Sequence, residues 1–250
     1  MAQLVFVDEE FIHKSFSNLS INENQTDYDE FGDIMPSYKY SILSFDVGIK
    51  NLGLSLSITD EAFNLIRIEW VKNIDIREYT HEHDLYDKQC NIDHNSNNIA
   101  DWLSHIFLEY ETLFNLADFI LVEKQPPQGL VVVEQIILFK YRHKTILIHP
   151  KSMHTFFNIS NNSYKDRKKL TMLIAEKNCV WHQRAIASYN SYKRKHDMSD
   201  AICLLLYWLR VKNKEYTKQM NYERMKNLPL PSLNGMSAID WLESHRYIQY

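Results

Sequence analysis

Two short β-rich runs, Ser41–Val47 and Leu52–Ile58, are separated by only four residues, Gly48-Ile49-Lys50-Asn51. Strands joined by so short a connection pair antiparallel, because a parallel crossover needs a dozen or more residues. Leu65–Val71 alternates apolar and polar residues and predicts a third strand, so the ordered part of the chain opens with an antiparallel meander. Beyond it the period changes. Ile99, Trp102, Leu103, Ile106, Phe107, Tyr110, Leu113 and Phe114 recur at helical spacing, and Phe119–Val122 is a short apolar run, bounded by Pro126 and Pro127, that reads as a buried strand. A helix is expected from Gly129 to Tyr141, a strand at Thr145–Ile148, helices over Lys151–Phe157 and Lys165–Lys177, and a strongly apolar helix over Met198–Val211. Three antiparallel strands followed by alternating helices and strands predict an α/β layered domain with a mixed sheet.

That domain is expected to span residues 39–228. At 250 residues the chain holds enough for one sizeable core, and 45% hydrophobic and 13% aromatic residues are the composition of a globular protein. Residues 1–38 carry Asp8, Glu9, Glu10, Glu23, Asp27, Asp29, Glu30 and Asp33 with little periodicity and are expected to form a flexible acidic arm, with one ordered piece near Leu4–Val7. Residues 72–97 are polar and read as a loop. Residues 229–250, opened by Pro229 and Pro231, form a tail with one short helix around Ala238–Tyr247. No run of eighteen apolar residues is present and the first forty residues are acidic, so neither a membrane span nor a signal or transit peptide is expected. Cys90, Cys179 and Cys203 lie far apart and form no CxxC pair, which fits an intracellular, reducing location better than a disulfide framework.

The formal net charge of −4 conceals an asymmetry. From Leu138 to Lys226 there are 19 Lys and Arg against 6 Asp and Glu, a surplus of +13, which leaves −17 for the remainder. A basic region of that size on an otherwise acidic protein is the footprint of a polyanion-binding face, although a solvated lysine-rich surface produces the same count.

Against this background four carboxylates stand out. Asp46 lies near the end of an apolar strand, where a lone buried charge is costly and calls for a cation. Glu123 directly follows the apolar run Phe119–Val122, so a second strand ends in an acid. Asp197 and Asp200, three apart at the start of a helix, project from one face, and the helix N-terminus tolerates their charge. A convergent cluster of hard oxygen ligands suits Mg²⁺, with Mn²⁺ as a substitute, and not zinc. Taken singly, an acid at a strand end is more often a turn or cap residue, and Asp197 alone reads equally as an N-cap. The polar loop with His81, His83, Asp84 and His94 fits no zinc-ligand spacing. His196, beside the DxxD pair, is a candidate for proton transfer or a packing residue at the helix start.

The stretch Ile42-Leu-Ser-Phe-Asp46-Val-Gly48-Ile-Lys-Asn-Leu-Gly53, the strand end Ile120-Leu-Val-Glu123-Lys-Gln125 and Lys193-Arg-Lys-His-Asp197-Met-Ser-Asp200-Ala together resemble the RuvC-like Holliday junction resolvases, with the match nearest to the branch of poxviruses, other large DNA viruses and yeast mitochondria. The resemblance covers about Tyr40 to Val211. It implies an RNase H-like fold and an endonuclease that cuts four-way DNA junctions as a homodimer. It makes Asp46, Glu123, Asp197 and Asp200 catalytic ligands of two Mg²⁺ ions and puts Gln125 beside the site, as a DNA contact. Lys165, Arg167, Lys168, Lys193, Arg194 and Lys195, with Tyr164, Tyr189 and Tyr192 interleaved, are the candidates for phosphate contact. If the source is viral, the expected location is the host cytoplasm or a virus factory. Val47 stands where bacterial members of that group have proline, a change in turn stiffness and not in metal ligation.

Three other readings share parts of this pattern. Sugar kinases and actin-like ATPases also open on an Asp-x-Gly turn, but they need later glycine-rich phosphate loops, and this chain has five glycines with no such pair. A nuclease acting on RNA–DNA hybrids would use the same carboxylates. A catalytically inactive branched-DNA-binding module is disfavoured by the presence of all four.

Overall fold

The computed structural model describes residues 38–77 and 98–226. Within them the expected meander is present: β1 (Tyr40–Asp46), β2 (Leu52–Thr59) and β3 (Leu65–Ile74) are successive antiparallel neighbours. β4 (Phe119–Glu123) lies parallel to β1 on its other side, and β5 (Thr145–Ile148) parallel to β4, giving the order β3-β2-β1-β4-β5. The helices are α1 (Ile99–Glu109), α2 (Glu111–Leu116), α3 (Val131–Lys140), α4 (Pro150–Phe156), α5 (Tyr164–Asn178), α6 (Gln183–Ser191) and α7 (His196–Lys226).

Alternation along the strands divides the core in two. Leu43 and Phe45 of β1, with Leu52, Leu54 and Leu56 of β2, face α1, α2 and α3, where Leu103, Ile106, Phe107, Phe114, Val133 and Ile137 complete one buried cluster. Ile42 of β1, Ile68 and Val71 of β3 and Leu121 of β4 face the other way, onto Met153 of α4, Ala175 of α5, Tyr189 of α6 and the α7 residues Met198, Ile202, Leu205, Trp208 and Leu209. On this second face the paired residues shrink along β1 and β2: Ile42 opposes Ser57, Ser44 opposes Ser55, and Asp46 opposes Gly53. The Ser44 and Ser55 hydroxyls meet at 2.7 Å, so two buried polar groups satisfy each other and leave little bulk between sheet and helix. At the end of this taper the start of α7 reaches the sheet itself. A Cβ on Gly53 would lie 2.2 Å from the Asp197 carbonyl oxygen.

Four elements differ from the sequence reading. The helix expected from Ile99 to Phe114 breaks at Tyr110, which closes α1 and opens α2. β3 runs on to Ile74 instead of giving way to loop after Val71, because Lys72 and Asn73 pair with Leu54 and Gly53. α6 lies in a stretch for which no element was expected. Among the described residues α7 continues to Lys226, well past Val211, on a polar sequence. The described residues up to Asn213 belong to one compact unit, and those from Lys214 to a second, of which the end of α7 is described. The acidic arm, the His81, His83, Asp84 and His94 loop, Cys90 and the Ala238–Tyr247 segment lie outside the described residues.

Candidate active site

β1 and β4 run parallel with Phe45 beside Val122, so the next residue of each, Asp46 and Glu123, emerges at the same edge of the sheet. Gly53, paired with Asp46, admits the first turn of α7, and this brings Asp197 and Asp200 over the strand ends. All four carboxylates line one cleft of about 300 Å³, together with Lys50, Asn51, His154, Tyr164, Arg167, Lys168, Thr171 and Arg194.

Lys168, reaching in from α5, stands in the middle. Its ammonium is 3.9 Å from Asp46 Oδ2 and 3.6 Å from Asp197 Oδ1, and it donates a short hydrogen bond to Asp200 Oδ2. Burial works against its charge, but the carboxylates of Asp200, Asp46 and Asp197 outweigh that and hold its pKa above the usual lysine value. Asp46 goes the other way. Burial, with Asp200 and Glu123 close by, pushes its carboxyl well above the ordinary range, and burial also raises Glu123. Around Asp197, Arg194 Nε donates to Oδ2 at 2.8 Å, Asn73 Nδ2 to the same oxygen at 3.4 Å, and His196 Nε2 lies 3.6 Å from Oδ1. The Arg194 pKa is raised by its hydrogen bond to Asp197, whereas burial lowers that of His196. Among the described residues no three side chains able to bind a metal stand within a single coordination sphere; three of the carboxylates are arranged about Lys168 Nζ. The donor set is nonetheless suited to hard divalent cations: oxygen-only, half-buried to buried, and assembled round one positive charge.

The candidates for phosphate contact divide. Arg167, Lys168 and Arg194 line the cleft. Lys165 and Lys193 are exposed and outside its lining. Lys195 turns away, donating to Asn190 Oδ1 at 2.6 Å and covering the Tyr189 ring. Gln125 lies beside Glu123, its Nε2 donating to Glu123 Oε2 at 2.8 Å. The reading of the sequence did not single out His154, Asn73 or Glu134. Each is an isolated polar residue with no motif around it, and only the fold shows that it borders the site.

Residues 40–213 match the profile of the poxvirus A22 protein family, a span that takes in every residue lining the cleft. The chain belongs to that family. The match takes in Asp46, Glu123, Asp197 and Asp200 and stops at the end of the first compact unit. No match is found among curated protein sequences. Among solved structures, the A22-family chain is similar to the yeast mitochondrial Holliday junction resolvase Ydc2, at 20% identity and a TM-score of 0.52 over 76% of this chain and 86% of that one. It is similar to the fowlpox virus resolvase, solved with Holliday junction DNA, at 17% identity and 0.49 over 68% and 97%. Thermus thermophilus RuvC follows at 12% identity and 0.40 or below, over 72% of this chain and 96% of that one. The likeness to Ydc2 gives this member of the A22 family the RNase H-like fold expected from the order of its elements.

Proposed function

We propose that this chain is a structure-selective endonuclease that resolves four-way DNA junctions by metal-dependent phosphodiester hydrolysis. The observation that carries the reading is the convergence of Asp46, Glu123, Asp197 and Asp200 in one cleft whose other wall is basic. Family membership and the junction resolvases of the same fold support the choice of substrate.

Asp46, Glu123, Asp197 and Asp200 would hold two Mg²⁺ ions, with Mn²⁺ able to replace them. Bound there, the ions supply charge neutralisation at the scissile phosphate and an activated water. The chain's own groups do the rest. Arg167 and Arg194 border the cleft from α5 and from the turn before α7, where they can hold phosphates flanking the cut and fix the strand. Lys168 balances the carboxylates and is placed to touch the phosphate itself. Burial under α7 and the sheet limits access of bulk water to Asp46. A junction has two-fold symmetry, so the active unit is read as a homodimer whose two sites address opposed strands. The rest of the domain reading stands as a proposal too: residues 39–228 as the nuclease, 1–38 and 229–250 as additions.

The test is cleavage, with Mg²⁺, of a synthetic four-way junction beside an RNA–DNA hybrid of equal length. Paired nicks at matching positions, sealable by ligase, are expected. Degradation of the hybrid's RNA strand with the junction left intact would replace the junction by a hybrid as the substrate.

A further inference from the structure

Glu134, on the first turn of α3, is 3% exposed, and neither the motif pattern nor the cleft lining includes it. A buried carboxylate is costly unless both oxygens are satisfied, and here both are. Oε2 accepts from the Gln125 main-chain N–H at 2.6 Å, and Oε1 accepts from Gln135 Nε2 at 2.8 Å. The segment it grips is the turn leaving β4, where Pro126 and Pro127 have no N–H to offer.

The Gln125 side chain is fixed at both ends. Its Oε1 accepts from Leu130 N at 3.2 Å, so its Nε2 faces Glu123 and donates to Oε2 at 2.8 Å. The two neighbours together settle which end of the amide is which, since a main-chain N–H needs an acceptor and a carboxylate needs a donor. Gly129 closes the arrangement: a Cβ there would lie 2.8 Å from Gln125 Oε1 and 2.9 Å from Pro126 Cδ.

We infer that Glu134 is a positioning residue that acts through Gln125, locking Glu123 into the orientation in which it binds a divalent cation. The inference rests on the metal-binding reading of Glu123 given above. Outer partners of this kind hold a ligand in one rotamer, and losing one typically weakens metal binding about 10- to 100-fold. It also assigns the Gln125 amide to Glu123, where the sequence reading had it contacting DNA.

Mn²⁺ binding by the full chain, followed by electron paramagnetic resonance without DNA, tests this independently of cleavage. Glu134→Leu and Gln125→Ala should each weaken binding about tenfold, while junction binding in EDTA is unchanged. The double variant should bind no more weakly than Gln125→Ala alone, because both act through one route. Glu134→Gln, whose carbonyl can still accept from Gln125 N, should stay within about threefold of wild type. Wild-type affinity in Gln125→Ala, a change in a partly exposed turn that leaves the buried Glu134 in place, would overturn the inference. So would losses that simply add. Wild type that binds Mn²⁺ but cuts no junction would end the proposed substrate and leave the positioning role standing; wild type that binds no Mn²⁺ would end both.

Discussion

Asp46 carries a carboxyl whose pKa burial and the nearby Asp200 and Glu123 raise well above the ordinary range. Without a divalent cation the folded protein therefore keeps a proton there that the unfolded chain has already released, so stability falls as pH rises from about 4 through the raised value. Glu123 adds to the same trend. On the proposed metal-binding reading a cation would replace that proton, and we expect Mg²⁺ to raise Tm more at pH 7.5 than at pH 5 in thermal denaturation, with Asp46→Asn flattening the slope of metal-free Tm against pH. A Mg²⁺ effect equal at both pH values would count against the cluster as its binding site. Asp46→Asn, Glu123→Gln and Asp200→Asn should each lower cleavage by at least about 100-fold while junction binding persists, since each removes an oxygen ligand of the proposed metal site but no phosphate contact; near-normal turnover in any of them excludes that residue. Gly53 answers to a different cause. Its Cβ would collide with the Asp197 carbonyl, so Gly53→Ala must push α7 off the sheet, costing about 1–3 kcal/mol and most of the cleavage rate. Unaltered Tm and rate would mean that the helix does not approach the strand this closely. The four carboxylates were legible in the sequence because strand ends and a DxxD at a helix start are local patterns. Glu134 and Asn73 were not, because what they hold lies nine and more than a hundred residues away.

At the scale of elements the same division holds. The meander, β4, β5 and the apolar half of α7 announce themselves by periodicity. α6 does not: only Ala185 and Tyr189 of its nine residues are buried, too few to mark a face, and its start is capped by the His182 ring accepting from Arg184 N. Yet α6 supports the site. The Tyr189 hydroxyl meets Ser199 Oγ at 2.8 Å inside the first turn of α7, between Asp197 and Asp200, and the same Ser199 donates to Lys195 O at 2.9 Å. Tyr189→Phe is expected to cost about 0.5–1.5 kcal/mol by denaturant unfolding and to leave cleavage within a few-fold of wild type, because Ser199 keeps its other partner. A loss of cleavage without loss of stability would give Tyr189 a direct part in the reaction. Trp208 of α7, buried against the Phe63 and Phe119 rings, belongs to the core in the plain sense. Trp208→Ala should destabilise by about 3–5 kcal/mol, and a cost below about 1 kcal/mol would place it at the surface.

For the whole molecule, the uneven charge of the sequence acquires a location only through the fold. Arg167 and Lys168 on α5 and Arg194 in the turn before α7 border one cleft, whereas Lys165 and Lys193, as basic in sequence, stay outside it. Charge count alone could not sort them. Junction binding should weaken steeply with salt, and Arg194→Gln should lower the slope of log K against log salt by about one; an unchanged slope would take Arg194 off the DNA path. Removing residues 1–38, which precede the family match, should preserve fold and cleavage; an unfolded product by circular dichroism would make the arm part of the core. The wide separation of Asp46 from Asp200 has its own bearing on how the protein is made. Ribosomes add roughly 5–20 residues each second, so about 150 residues and many seconds of synthesis separate the first carboxylate of the cluster from the last. Until Asp200 is added the nascent chain lacks the proposed ligand set, even after β5 has completed the strands of the sheet, so the half-made protein is chemically silent.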